Sequence, residues 1–136
     1  MFSRMKTPPP PMFASTVAAG FPSPADDHLE GALDLGAHLV RRPASTFFVR
    51  AAGDSMTGAG IHDGDLLVVD RSVQAQHGDV VIAVVEGELT VKRLEQADGR
   101  WWLAPANPGF PRMPVGDDGL TVWGVVVHSV TTHCRR

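Results

Sequence analysis

The feature that most constrains the fold is a series of short apolar runs, rich in β-branched residues, that begins near residue 44. The runs cover residues 46–51, 65–70, 79–85, 89–94, 100–104 and 120–130. Glycine-containing turns separate them, for example Asp63-Gly64 and Asp98-Gly99, and Glu86-Gly87-Glu88 joins two runs as a hairpin. This spacing predicts a mainly β fold, built as curled antiparallel sheets or a partly open β-barrel.

The N-terminal part of the chain has a different composition. Residues 1–25 are rich in proline, with a run of four at positions 8–11, and contain no acidic residue. Because proline fixes φ and cannot donate a backbone hydrogen bond, we expect residues 1–25 to form a flexible, extended arm. Residues 26–43 would be a linker, with one or two helical turns over 26–36 that Asp26 or Asp27 caps and Gly36 ends. Residues 44–136 would form the β domain.

Charge and length argue against direct sequence-specific DNA binding. Twelve basic and fifteen acidic residues give a formal charge of −3, which is too balanced for a protein held to DNA by a bulk positive field. A helix-turn-helix also has no room ahead of the β domain. Work at DNA through protein partners is still compatible with this composition.

Several features favour the cytoplasm. No apolar run is long enough to span a membrane. Arg4 and Lys6 precede an alanine-rich segment, as in a secretory signal, but the proline run interrupts the place of its apolar helix. A single cysteine, Cys134, cannot form an internal disulfide, which fits a reducing compartment. The six histidines show no metal-binding spacing, so we predict no metal and no other cofactor.

Ser55 and Lys92 are the candidate catalytic residues. Ser55 lies in the glycine-rich stretch Gly53-Asp54-Ser55-Met56, and Lys92 lies within the apolar run 89–94. A serine hydroxyl is a weak nucleophile until a base takes its proton, and a neutral lysine can be that base. Burial among apolar groups favours the neutral amine, and alternation along a strand would place Lys92 on the same face as Leu94. A backbone turn at Ser55 could also supply N–H donors for an oxyanion, for which we nominate Ser55 and Met56.

Each of these residues also has a simple structural interpretation. Lys92 alone would be a strand residue whose stem packs while its amine reaches water. Ser55 alone would be a turn residue that bonds its own backbone. The upstream segment Ala18-Ala19-Gly20 would be a disordered linker, although its small side chains also suit close approach of the Ala19-Gly20 bond to a nucleophile.

Taken together, these segments resemble a known family. The stretches are 19–25, 49–56, 60–71 and 89–94, in that order, and the similarity extends over about residues 18–130. They resemble the UmuD-like branch of the LexA-like self-cleaving serine peptidases. The resemblance implies Ser55 as nucleophile, Lys92 as general base and Ala19-Gly20 as the scissile bond. The proline run at 8–11 is not expected from the family.

The resemblance also implies a role and partners. The chain would be an SOS-type regulator of error-prone DNA synthesis and a homodimer, whose self-cleavage is stimulated by RecA on single-stranded DNA. The shortened form would assist a Y-family translesion polymerase of the UmuC type. Two other functions are compatible with the residues: a non-catalytic module that binds a polymerase or another partner, and a signal-peptidase-like Ser/Lys protease acting on other proteins.

Overall fold

The computed structural model describes residues 7–13, 16–20, 29–116 and 119–136. The chain forms two compact units, Met1–Arg41 and Arg42–Arg136. Among the described residues, no helix is both long enough and apolar enough to cross a membrane.

The first unit contains a small two-stranded sheet and one short helix. Strand β1 (Pro11–Phe13) pairs antiparallel with β2 (Leu29–Ala32), and helix α1 spans Leu35–Leu39. The N-cap of α1 is Asp34, whose Oδ1 accepts a hydrogen bond from the N–H of Ala37 at 3.1 Å.

The helix expected over residues 26–36 is therefore wrong in its position. Residues 29–32 pair as a strand, and Gly31 has a φ of +122°, which a right-handed helix does not allow. Gly36 lies inside α1 and does not end it. Asp26 and Asp27 lie outside the described residues.

The second unit is a seven-stranded antiparallel sheet. Its strands are β3 (Thr46–Arg50), β4 (Leu66–Asp70), β5 (Val80–Val85), β6 (Glu88–Ala97), β7 (Arg100–Ala104), β8 (Met113–Pro114) and β9 (Val122–Val130). They lie in the order β3-β4-β9-β5-β6-β7-β8, so the sheet is open and is not closed into a barrel. The mainly β prediction is confirmed, in its open-sheet form.

Both faces of this sheet carry a hydrophobic core. One cluster contains Met56, Leu67 and Ile82, and the other contains Val81 and Leu94. Val81 and Ile82 are neighbours on β5, and successive side chains of a strand point to opposite faces. The centre of the sheet is therefore buried on both sides, and the Ser55 segment lies against the first cluster through Met56.

A buried carboxylate fixes the start of the second unit. Asp70, at the end of β4, accepts hydrogen bonds from Arg42 at 2.7 Å, from Ser45 at 2.9 Å and from the hydroxyl of Ser72 at 2.7 Å. These bonds, led by those from Ser72, hold the pKa of Asp70 well below its usual value. They hold the residues before β3 and the turn after β4 against the end of β4.

Candidate active site

Ser55 lies in a sharp turn that follows β3. Gly53 has a φ of +91°, which residues with a side chain rarely adopt, and its N–H donates to Oδ1 of Asp63 at 2.8 Å. Met56, three residues after Gly53, is only 2% exposed and packs in the first core cluster. The turn is thus held at both ends, with the half-buried Ser55 side chain between them.

A second loop is bonded to the backbone on both sides of Ser55. The N–H of Ala106 donates to the carbonyl of Ser55 at 2.7 Å, and the N–H of Gly58 donates to the carbonyl of Ala106 at 2.6 Å. Nδ2 of Asn107 donates to the carbonyl of Asp54 at 2.9 Å. The position of the serine is therefore determined by a segment about fifty residues later in the chain.

Lys92 lies in the middle of β6 and reaches the serine. Its Nζ donates to Oγ of Ser55 at 3.2 Å, to Oγ1 of Thr90 at 3.1 Å and to the carbonyl of Val91 at 3.1 Å. The side chain is half-buried, and this loss of solvation lowers the pKa of the Lys92 amine below its usual value. The structure thus brings together the two residues that the sequence nominated, 37 positions apart.

A cavity of about 260 Å³ opens beside this pair. Its walls come from the end of β3 and the loop after it, from β4 and β5, and from the first half of β6. The lining combines apolar side chains, among them Val49, Leu67 and Ile82, with the polar groups of Ser55 and Lys92. The hydroxyl and the amine therefore border a space of mixed polarity.

The nominated oxyanion donors are the backbone N–H groups of two consecutive residues in the turn. Among the bonds within residues 29–116, the backbone N–H groups of Ser55 and Met56 donate to no protein acceptor. Both lie in the turn that presents the hydroxyl. Free N–H groups near a nucleophile are what a developing oxyanion needs, so the nomination stays a prediction.

This arrangement can perform acyl transfer. A neutral amine at 3.2 Å can accept the hydroxyl proton while Oγ attacks a carbonyl carbon. The contacts from Thr90 and Val91 keep Nζ pointed at Ser55, since three fixed partners limit how far the lysine side chain can turn.

Ala19 and Gly20 lie in the first unit. Residues 16–20 carry no regular secondary structure, and both residues of the nominated bond are exposed. Within the described residues, no group of three or more histidine, cysteine or acidic side chains is arranged to hold a metal ion.

Sequence reasoning missed two contributors to the site. Thr90 contacts the lysine, and the alternation of side chains along a strand, which places residues 90 and 92 on the same face, was the signal that could have found it. Asn107 is different. The Asn-Pro-Gly stretch indicates a turn, but nothing local shows that the amide of Asn107 binds the chain at Asp54.

A serine hydroxyl beside a partly desolvated lysine, on an open β-sheet with an adjoining cavity, defines a candidate serine peptidase of the Ser/Lys type. Comparison with known proteins agrees with this class. The family described as Peptidase S24-like matches residues 11–127 of the chain.

Individual relatives place the chain more narrowly. Protein SamA of Salmonella typhimurium is 52% identical over 116 residues, which cover 85% of this chain and 81% of SamA. Protein MucA of Escherichia coli is 44% identical over 130 residues, which cover 93% of this chain and 88% of MucA. The LexA repressor of Parafrankia sp. is 40% identical over 111 residues, or 82% of this chain but 43% of the repressor.

The chain belongs to the Peptidase S24-like family, within the UmuD-like branch of the LexA/UmuD proteins. It is a self-cleaving serine peptidase, and its general role is that of the SOS mutagenesis proteins. The family and the enzyme class predicted from the sequence are both confirmed.

Proposed function

We propose that the chain cuts its own Ala19-Gly20 bond, with Ser55 as nucleophile and Lys92 as general base. The contact of 3.2 Å between Oγ of Ser55 and Nζ of Lys92 is the observation that carries this proposal. The lowered pKa of the amine supports it, because only a neutral lysine can accept a proton.

The chemistry proceeds in two halves. Oγ attacks the carbonyl carbon of Ala19 while Nζ takes the hydroxyl proton, and the N–H groups of Ser55 and Met56 stabilise the oxyanion. The ammonium then returns the proton to the leaving nitrogen of Gly20, and the peptide bond breaks. Water hydrolyses the resulting ester on Ser55, with the neutral amine again acting as base.

The substrate would be supplied by the chain's own arm, either in the same molecule or in a partner subunit. The exposed, irregular backbone at residues 16–20 supports this, because an extended strand with small side chains is easily accommodated in a narrow cleft. A tethered bond is present at a high effective concentration, so a modest nucleophile is sufficient.

Membership of the UmuD-like branch supports a finer biological role, which we propose as well. In this role the protein is a cytoplasmic homodimer, and RecA on single-stranded DNA favours the conformation in which the arm occupies the cleft. RecA then need supply no catalytic group. The shortened chain, beginning at Gly20, assists an error-prone Y-family polymerase of the UmuC type.

The chemistry is tested without RecA, at alkaline pH, where Lys92 loses its proton unaided. Mass spectrometry should detect a fragment beginning at Gly20 from the wild-type chain and from a control, Ser129→Ala, which alters an exposed serine on β9. Ser55→Ala, Lys92→Ala and Lys92→Arg should stay intact, the last because a guanidinium remains protonated. Cleavage of Ser55→Ala at the wild-type rate, or at another bond, contradicts the proposal.

The regulatory part needs its own measurement. At neutral pH, RecA filaments on single-stranded DNA should accelerate the appearance of the same fragment, whereas RecA without DNA should not. The purified shortened chain should then stimulate lesion bypass by its polymerase more than the intact Ser55→Ala chain does. Equal stimulation by both forms contradicts the switch but leaves the cleavage chemistry standing.

A further inference from the structure

The loop between β7 and β8 makes a specific contact with the nucleophile turn. The side-chain amide of Asn107 makes three hydrogen bonds: Oδ1 accepts from the N–H of Gly109 at 2.9 Å, and Nδ2 donates to the carbonyl of Asp54 at 2.9 Å and, over a longer distance of 3.5 Å, to Oγ1 of Thr57. The first bond closes the loop on itself. The second crosses to a residue 53 positions earlier, immediately before Ser55.

Backbone bonds from Ala106 reinforce this contact. Ala106 donates to the carbonyl of Ser55 at 2.7 Å and accepts from Gly58 at 2.6 Å. The carbonyls of Asp54 and Ser55 are therefore both bonded to consecutive residues of one loop. Since peptide units are planar, fixing these two carbonyls limits the rotation of the backbone that carries Oγ of Ser55.

The same loop also borders the surroundings of the lysine. Phe110 and Pro111 of this loop, with Met113 at the start of β8, line a cavity of about 430 Å³ that Thr90 and Lys92 also line. One segment thus contacts the nucleophile turn and adjoins the base.

We propose that Asn107 is a positioning residue for self-cleavage, whose side-chain N–H holds the carbonyl of Asp54 so that Ser55 stays within reach of Lys92. This inference rests on the proposed roles of Ser55 and Lys92. Asn107 itself touches no reacting atom in it. Its contribution is to reduce the number of conformations in which the hydroxyl points away from the amine.

The bonds made by Oδ1 and by Nδ2 of Asn107 can be separated chemically. Asn107→Asp keeps an acceptor for the N–H of Gly109 but loses the donor to Asp54 and Thr57, and it places a carboxylate oxygen against the carbonyl oxygen of Asp54. Asn107→Ala loses all three bonds and adds no charge, so it controls for the new negative charge of Asn107→Asp. Gln74→Glu makes the same amide-to-carboxylate change on an exposed side chain that has no hydrogen bond among the described residues.

The experiment measures three quantities for each full-length variant: the rate of self-cleavage against pH, the rate at which a small fluorophosphonate labels Ser55, and the melting temperature. On the alkaline plateau, the rate of self-cleavage of both Asn107 variants should be lower than that of Gln74→Glu by a factor of about ten or more, because a small displacement of a nucleophile has a large effect on rate. Labelling should slow by a similar factor. The midpoint of the pH profile of Asn107→Ala should not move, since the amine keeps its surroundings.

The fluorophosphonate distinguishes positioning from a purely structural role. It reaches Ser55 without the arm, and its rate is corrected for the folded fraction given by the melting curve. The proposal is overturned if labelling and cleavage of both variants stay within about twofold of Gln74→Glu, a range too small for a displaced nucleophile. It is also overturned if the losses disappear after the correction, or if cleavage slows while labelling does not.

A parallel sample of Ser55→Ala keeps the two proposals distinguishable. If Ser55→Ala is cut as fast as the wild type, the assignment of the nucleophile fails, and the role of Asn107 fails with it. If Ser55→Ala is inert while both Asn107 variants cleave at the wild-type rate, only the positioning role is refuted.

Discussion

Replacing Gly58 with alanine perturbs the nucleophile turn without altering any candidate catalytic group. A Cβ at this position would overlap the carbonyl oxygen of Ala106, which accepts the N–H of Gly58. Either the bond lengthens or the loop moves, and Ala106 is also the residue that donates to Ser55. Overpacking of this kind reduces the free energy of unfolding by about 1–3 kcal/mol.

Gly116 offers a matched control. A Cβ there meets nothing within 4 Å, and its φ is not in the left-handed region. Alanine at 116 should leave the free energy of unfolding unchanged or raise it by up to about 1 kcal/mol, because it restricts the unfolded chain.

Two measurements test the comparison of Gly58→Ala with Gly116→Ala. Urea denaturation in a Ser55→Ala background, which avoids self-cleavage, gives the free energies of unfolding. Alkaline self-cleavage in the wild-type background gives the rates, and we expect a loss of about 10²-fold for Gly58→Ala if the turn moves by about 1 Å. Equal stability and equal rates for the two variants would refute the reasoning that Ala106 holds the serine in place.

Three further outcomes are expected. Lys92→Met, in the Ser55→Ala background, should be at least as stable as its parent at pH 7. The pKa of Lys92 is lower in the folded than in the unfolded parent, so the parent gains stability as pH rises towards about 10.4 and the difference in melting temperature should narrow. A difference that stays constant with pH contradicts partial burial of the amine. Thr90→Val removes one of the partners of Nζ at similar side-chain volume and should slow alkaline cleavage by about tenfold, whereas a wild-type rate shows that Val91 and Ser55 hold the amine alone. Asp70→Asn should lower the melting temperature at pH 7. The loss should diminish as pH falls below about 4, because the wild type then also loses the stabilisation that the ionised Asp70 provides. A loss independent of pH contradicts the role of the carboxylate charge.

The strands were largely predictable from the sequence because their signals are local. The run 100–104 coincides with β7, and the runs at 46–51 and 65–70 differ from β3 and β4 by one residue. β6 extends well beyond its predicted end at residue 94, since its first half pairs with β5 and its second half with β7. That extension depends on a partner that local sequence does not specify.

The short helix could not be placed in the same way. The cap expected from the sequence is Asp26 or Asp27, whereas the observed cap is Asp34. Aspartate is a favoured N-cap wherever it occurs, so the residue type alone does not select one of these positions. Residues 29–32, in the middle of the predicted helix, pair with β1, and the observed helix begins only after Asp34.

The sequence by itself determined the chemical groups and the order in which they occur along the chain: a small-residue bond upstream, a serine in a glycine-rich turn and a lysine within an apolar strand. Only the tertiary structure decided that Oγ of Ser55 and Nζ of Lys92 lie 3.2 Å apart, that the amine is half-buried, and that Ala106 and Asn107 hold the turn. The physical reason is that proximity and loss of solvation depend on neighbours remote in the chain, which strand pairing and core packing bring together.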